Sequence, residues 1–167
     1  MRKRTLYLLQ AATALGGMGY GVMFTVLDDF RDEYGITEAQ LGIIVGIGFI
    51  TGFLSQILFA PQADKGHAKK LVMTGIAIEI VGTLFMAFGQ AFLPLIIGRL
   101  LAGFGVGISE PALRRILILS DPERMGQNLG LIVSASVAGF TVGPIVSALT
   151  ADTLGIAAPF LMVAVLL

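Results

Sequence analysis

Two long stretches without a single charge, residues 5–27 and 41–63, each 23 residues long, constrain the fold more than anything else in the chain. A helix rises about 1.5 Å per residue, so about 20 apolar residues cross a hydrocarbon layer of about 30 Å. Residues 71–109 hold only Glu79 and Arg99 as charges. That stretch is too long for one crossing and fits two, broken at Gly89-Gln90 with Pro94 opening the next helix. A fifth uncharged run covers 129–151, and 154–167 is apolar but short. The expected spans are therefore 5–27, 41–63, 71–88, 93–113 and 129–151, with 154–167 an incomplete sixth in a single bundle covering 1–167. Barrel strands alternate apolar and polar residues over about 10 positions. These runs are continuous and longer, so helices are expected.

Composition agrees. The chain is 56% hydrophobic and 13% charged, against about 25% charged in soluble domains. Net charge is zero, which gives no basis for nucleic-acid binding. With no Cys and one His, neither disulfides nor the usual metal sites are expected, and no cofactor is implied. Arg2-Lys3-Arg4 before an apolar run resembles a secretory signal, but the run is longer than a signal's apolar region of about 7–15 residues.

Basic residues collect on the cytoplasmic side of a membrane protein. With the N-terminus inside, Arg2, Lys3, Arg4, Lys65, Lys69, Lys70, Arg114, Arg115 and Arg124 all fall inside. The first outer loop then holds Asp28, Asp29, Asp32, Glu33 and Glu38, beside Arg31. A bacterial inner (plasma) membrane with a cytoplasmic N-terminus is the expected setting. Thr37-Glu38-Ala39-Gln40 reads as a capping box for the second span. Gly66 suits a left-handed helix stop, and Ser120-Asp121-Pro122-Glu123 reads as a cap with a first-turn proline.

Sliding the chain by 88 residues aligns 41–64 with 129–152 at 8 of 24 positions, among them Leu41-Gly42 with Leu129-Gly130 and Ala63-Asp64 with Ala151-Asp152. At an offset of 86, Gly17, Gly19 and Gly21 meet Gly103, Gly105 and Gly107. Three spans per copy is an odd number, so the second copy enters from the opposite side. An inverted repeat of this kind is common in secondary transporters.

Three motifs sit on this frame. The loop after the second span reads Ala60-Pro61-Gln62-Ala63-Asp64-Lys65-Gly66-His67-Ala68-Lys69-Lys70. It resembles the loop signature of the major facilitator superfamily, Gly-x-Leu-Ala-Asp-Arg-x-Gly-Arg-Lys. Ala63, Asp64, a base at Lys65 and the Lys69-Lys70 pair match, while Ala60, His67 and Ala68 depart and Gly66 stands one position early. Arg99-Leu100-Leu101-Ala102-Gly103-Phe104-Gly105 is similar to the family's fourth-helix pattern Arg-x-x-Gln-Gly-x-Gly. Gly139-Phe140-Thr141-Val142-Gly143-Pro144 resembles its antiporter motif, with Ser147 and Ala148 as small replacements. The resemblance implies an all-α membrane protein: a six-helix half of a major facilitator fold, built as a 3+3 inverted repeat with its sixth helix incomplete.

It also implies alternating access, a gating loop at Asp64, Lys65, Gly66, Lys69 and Lys70, and proton coupling at Arg99. The expected partners are a small-molecule substrate, protons, the lipid bilayer and a second six-helix half. The fifth-span motif favours proton-coupled antiport, hence efflux. The alternatives are an uptake porter of the same family and a membrane fragment that transports nothing.

An ionisable residue inside a span is a functional candidate by default. Arg99 is expected about six residues from the outer end, with Asp28 and Asp29 as partners. Glu79 lies about 12 Å into its span, where a lone carboxylate must find a partner or carry a proton. Glu110 can pair with Arg114 at i+4 or with the loop after the second span. Gly103, Gly105, Gly139 and Gly143 are expected to let helices approach closely, and Pro144 to kink its helix. The Phe and Met residues read as lipid-facing or packing groups, and His67 as a solvated loop residue.

Overall fold

The computed structural model describes residues 3–167, with side chains described from residue 5 onward. Side chains of the Arg2-Lys3-Arg4 group, used above for orientation, lie outside the described residues. Seven α-helices follow one another: α1 Lys3–Gly21, α2 Leu27–Tyr34, α3 Glu38–Gln62, α4 Ala68–Phe88, α5 Phe92–Ser120, α6 Met125–Leu154 and α7 Ala158–Leu166. Three helical stretches are long and apolar enough to cross a bilayer: 38–88, 92–120 and 122–154.

The first of these stretches folds back. Gly66 adopts φ 90° between α3 and α4, a left-handed conformation open to glycine. The capping box forms as expected: Thr37 Oγ1 accepts from Gln40 N, and Gln40 Oε1 accepts from Thr37 N at 2.9 Å. α4 stops at Gly89, whose N–H donates to Phe85 O at 2.9 Å.

Several bounds differ from the sequence reading. The first helix does not run to Leu27: Val22–Phe24 tighten into a 3-10 turn, and Leu27 opens α2. The cause is Phe30, which is fully buried and stacks between Tyr34 and Phe160, pulling a short amphipathic helix across the bundle end. Leu154 belongs to α6 rather than to the last helix, because the break falls at Gly155 with φ 89°. Ser120 does not cap α6. Its hydroxyl donates back to Ile116 O at 2.6 Å.

Glycine contacts set the helix directions. α3 and α5 run parallel, with Gly48 on Gly103 and Gly52 on Gly107. α1 and α6 also run parallel, with Gly17 on Ser136 and Gly21 on Phe140. α4 is antiparallel to α5: Gly75 meets Gly105 while Gly82 meets Gly98.

These contacts obey the two sequence offsets. Adding 86 to Gly17 and Gly21 gives Gly103 and Gly107; subtracting 88 from Ser136 and Phe140 gives Gly48 and Gly52. In the same way, Gly139 against the Ala14 carbonyl corresponds to Thr51, which donates to Leu100 O at 3.2 Å. The α1–α6 crossing thus matches the α3–α5 crossing, with α1 corresponding to α5 and α3 to α6, as a pseudo-two-fold axis requires. In each crossing a bare glycine meets a carbonyl, so the backbones approach closer than any side chain allows and weak Cα–H···O contacts form.

α5 is the most enclosed helix, packed on α4 and α3. One apolar cluster gathers Val22, Val26, Phe30, Ile44, Leu95 and Phe160 at the α2 end. Two others, around Ala63, Ala68 and Ala112 and around Leu9, Leu117 and Ile132, close the opposite end.

Candidate functional site

Arg99, about two turns into α5, decides the geometry of the site. It is 2% exposed. Its guanidinium carbon lies 4.3 Å from the Tyr20 ring centroid and 5.7 Å from that of Phe49. Gly48 makes the room: a Cβ there would collide with Arg99 Nε. Tyr20 is locked in turn, because its hydroxyl donates to Gly48 O at 3.0 Å and its ring packs 5.3 Å from Phe49. Nε and Nη2 of Arg99 are buried without a hydrogen-bond partner.

This corrects the expectation that Asp28 and Asp29 pair with Arg99. Asp28 instead binds Arg31 at 3.0 Å, with 79% of its side chain exposed. The 3-10 turn at Val22–Phe24 turns the chain into α2 before Asp28, and α2 leaves Asp28 exposed and Asp29 half-buried, neither paired with Arg99. Tyr20 and Phe49 were the residues missed: Tyr20 was not singled out and Phe49 read as a lipid-facing or packing group, yet they form the cage. The signal available was Tyr20, a phenol set among glycines three residues from Gly17.

On the far side of Tyr20 and Phe49 lies a cavity of about 370 Å³. Tyr20, Phe49, Phe53 and Phe140 give it aromatic walls, with Gln56 and Glu110 as polar groups. Three pairs of its lining residues are related by the repeat: Tyr20 with Val106 (20 + 86), Phe49 with Val137 (49 + 88) and Gly52 with Phe140 (52 + 88). The cavity therefore sits on the pseudo-axis, and one copy supplies two aromatics where the other supplies two valines. Phe53 and Val137 are 65% and 59% exposed, so the cavity opens on the apolar face made by α3 and α6.

Glu110 does pair with Arg114, at 2.7 Å, and Ser136 Oγ stands 3.5 Å from its other oxygen. Glu79 is 2% exposed in mid-α4. Among the described residues it forms no ion pair, and its carboxyl accepts no hydrogen bond.

At the loop motif between α3 and α4, Asp64 and Arg115 Nε stand 3.1 Å apart. Among Lys65, Lys69, Lys70, Arg114 and Arg115, all expected on the same side as this carboxylate, the structure selects Arg115, tying the loop between α3 and α4 to α5. Lys65, Lys69 and Lys70 are exposed around the Gly66 turn. In α6, Gly139 packs on the Ala14 carbonyl and Gly143 on Met18 and Gly21. Pro144 lies within the continuous α6 and cannot donate to the Phe140 carbonyl. That carbonyl presses on Gly21 instead, and Thr25 Oγ1 donates to Pro144 O at 3.1 Å. Gly103 and Gly105 serve two different faces of α5, towards Gly48 and Gly75 respectively.

Residues 9–167 match the family described as Major Facilitator Superfamily. The chain belongs to the major facilitator superfamily. Multidrug resistance protein MdtG of Proteus mirabilis is 27% identical, over 99% of this chain and 42% of its own length. Quinolone resistance protein NorA of Staphylococcus aureus is 26% identical, over 76% and 33%. An uncharacterized MFS-type transporter of Methanocaldococcus jannaschii is 24% identical, over 95% and 41%. The chain thus spans well under half the length of these curated relatives. It is an integral membrane protein by family and by its long apolar helices.

Proposed function

We propose that the chain is the N-terminal half of a secondary transporter that exports a small molecule in exchange for protons. The observation that carries this reading is the cavity on the pseudo-axis, open towards the apolar α3–α6 face. A site bounded on one side by this half and on the other by a second six-helix body fits alternating access. Phe49, Phe53, Val137 and Ile145 leave that face largely exposed, as a docking surface for such a body requires. The names of the multidrug and quinolone resistance relatives favour export.

In this reading the Asp64–Arg115 contact locks the inner ends of α3 and α5 in one access state. Arg99, buried and short of acceptors, supplies the charge that responds to proton movement. The glycine-on-carbonyl crossings give rigid three-helix units that rock as bodies. The N-terminus and the loops around Lys69 and Arg124 lie on the cytoplasmic side, following the basic residues.

The test is transport by the complete gene product in everted vesicles under an imposed pH gradient. Substrate accumulation driven by an acidic lumen supports export by antiport. Accumulation only when the gradient is reversed points to uptake, and no gradient-driven movement of any compound in a broad panel rejects the transporter reading.

A further inference from the structure

Gly16 belongs to two environments at once. With Gly17 and Tyr20 it lines the cavity. On its other side, a Cβ built on it would lie 3.7 Å from Glu79 Oε1. At Gly19, one turn on, that distance is 3.3 Å. The α1 glycines therefore leave a hollow that the Glu79 carboxyl fills, and between this carboxyl and the cavity stands backbone with no side chain. Gly105 completes the pocket from α5, letting the α4 backbone approach to a distance where a Cβ would collide with Glu79 N at 2.6 Å.

We propose that Glu79 is a proton-exchange site reached from the cavity across the bare surface of Gly16. An unpaired carboxylate in an apolar interior costs several kcal/mol. The groups that face it relieve this only in part. Arg99 on α5, stacked on Tyr20 of α1, offsets part of the cost through space but forms no ion pair with Glu79, and Glu110 on α5, held by Arg114, adds a like charge. α7 carries no titratable residue. A proton from cavity water adds to a carboxylate oxygen and leaves a neutral acid, and the reverse step returns the proton to the cavity. A metal ion is not the ligand, because a hard cation needs six or so oxygens and no cluster of candidate ligands exists among the described residues. The site deepens the coupling proposed above and takes its role from that reading, but its chemistry is tested without transport.

The probe is dicyclohexylcarbodiimide, an apolar reagent for protonated carboxyls, applied to the full protein in membranes with the modified residue mapped by mass spectrometry. Glu79 is expected to be modified, at a rate that falls as pH rises. Gly16→Ala places a methyl in ordinary contact with the carboxyl, without collision, and is expected to slow the reaction. Gly42→Ala, with nothing within 4 Å, should leave it unchanged. Absence of modification at Glu79, a rate independent of pH, or a Gly16→Ala rate equal to wild type overturns the proposal. If Gly16→Ala does not accumulate, infrared spectroscopy decides: a titrating carboxylic-acid band lost in Glu79→Gln supports the site, and one that persists refutes it. Intact modification in a protein that transports nothing would fault the transporter reading alone.

Discussion

Replacing Arg99 by Met should leave the protein at least as stable while removing the coupling proposed for it. An Arg in a spanning helix costs up to about 2.5–3.5 kcal/mol on insertion scales, the full value applying at the helix centre. Arg99 stands about two turns into α5, so its cost lies at or below that. That cost is not offset by an ion pair, since Nε and Nη2 have no partner. The compensation present is the stack on Tyr20 at 4.3 Å, and a desolvated cation–π contact contributes about 2 kcal/mol. Methionine keeps the unbranched stem beside Gly48 and fills irregular space well. The balance is a gain of at most about 1 kcal/mol, in line with buried charges replaced by apolar groups of similar volume. Reversible unfolding in detergent micelles, wild type against Arg99→Met, measures it. A loss of more than about 2 kcal/mol would falsify the claim that Arg99 is held for function rather than for the fold.

Gly139→Ala drives a methyl into the Ala14 carbonyl and should cost about 1–3 kcal/mol by overpacking. Gly42→Ala meets nothing within 4 Å and should instead gain up to about 1 kcal/mol from helix propensity; the same unfolding assay reads both. Asp64→Asn should abolish transport with membrane insertion intact. Because the Asp64 side chain is 68% exposed, the stability change should stay under about 1 kcal/mol, so a large unfolding shift counts against a gating role. Thr37→Ala removes a capping box at the entrance of α3 and should lower stability by about 1 kcal/mol; an unchanged midpoint refutes that cap's contribution.

Much of the architecture was readable from the chain because glycine and carbonyl spacing carry the packing. The offsets of 86 and 88 found between Gly17 and Gly103 and between Leu41 and Leu129 are the offsets that relate the α1–α6 and α3–α5 crossings. The Glu110–Arg114 pair was legible because i,i+4 spacing fixes it locally. Long-range partners were not. Whether Arg99 meets Asp28 or Tyr20 depends on a single 3-10 turn at Val22–Phe24, which hydropathy does not register. Phe49 read only as lipid-facing or packing because nothing in the sequence sets it apart from the other apolar residues of α3, and at 48% exposure it serves the surface and the cage at once. The choice of Arg115 over four other bases for Asp64 follows from how far α5 runs past the Gly66 turn, which depends on helix length rather than on any motif.

The odd number of crossings per repeat is what places the second copy upside down, and single-cysteine labelling tests it directly. The chain has no cysteine of its own, so Lys69→Cys, Glu123→Cys and Asp32→Cys each report one position without background. An impermeant maleimide applied to right-side-out and everted vesicles should find positions 69 and 123 on one face and position 32 on the other. Labelling of positions 69 and 32 from the same face would contradict the inverted repeat and the half-transporter built on it.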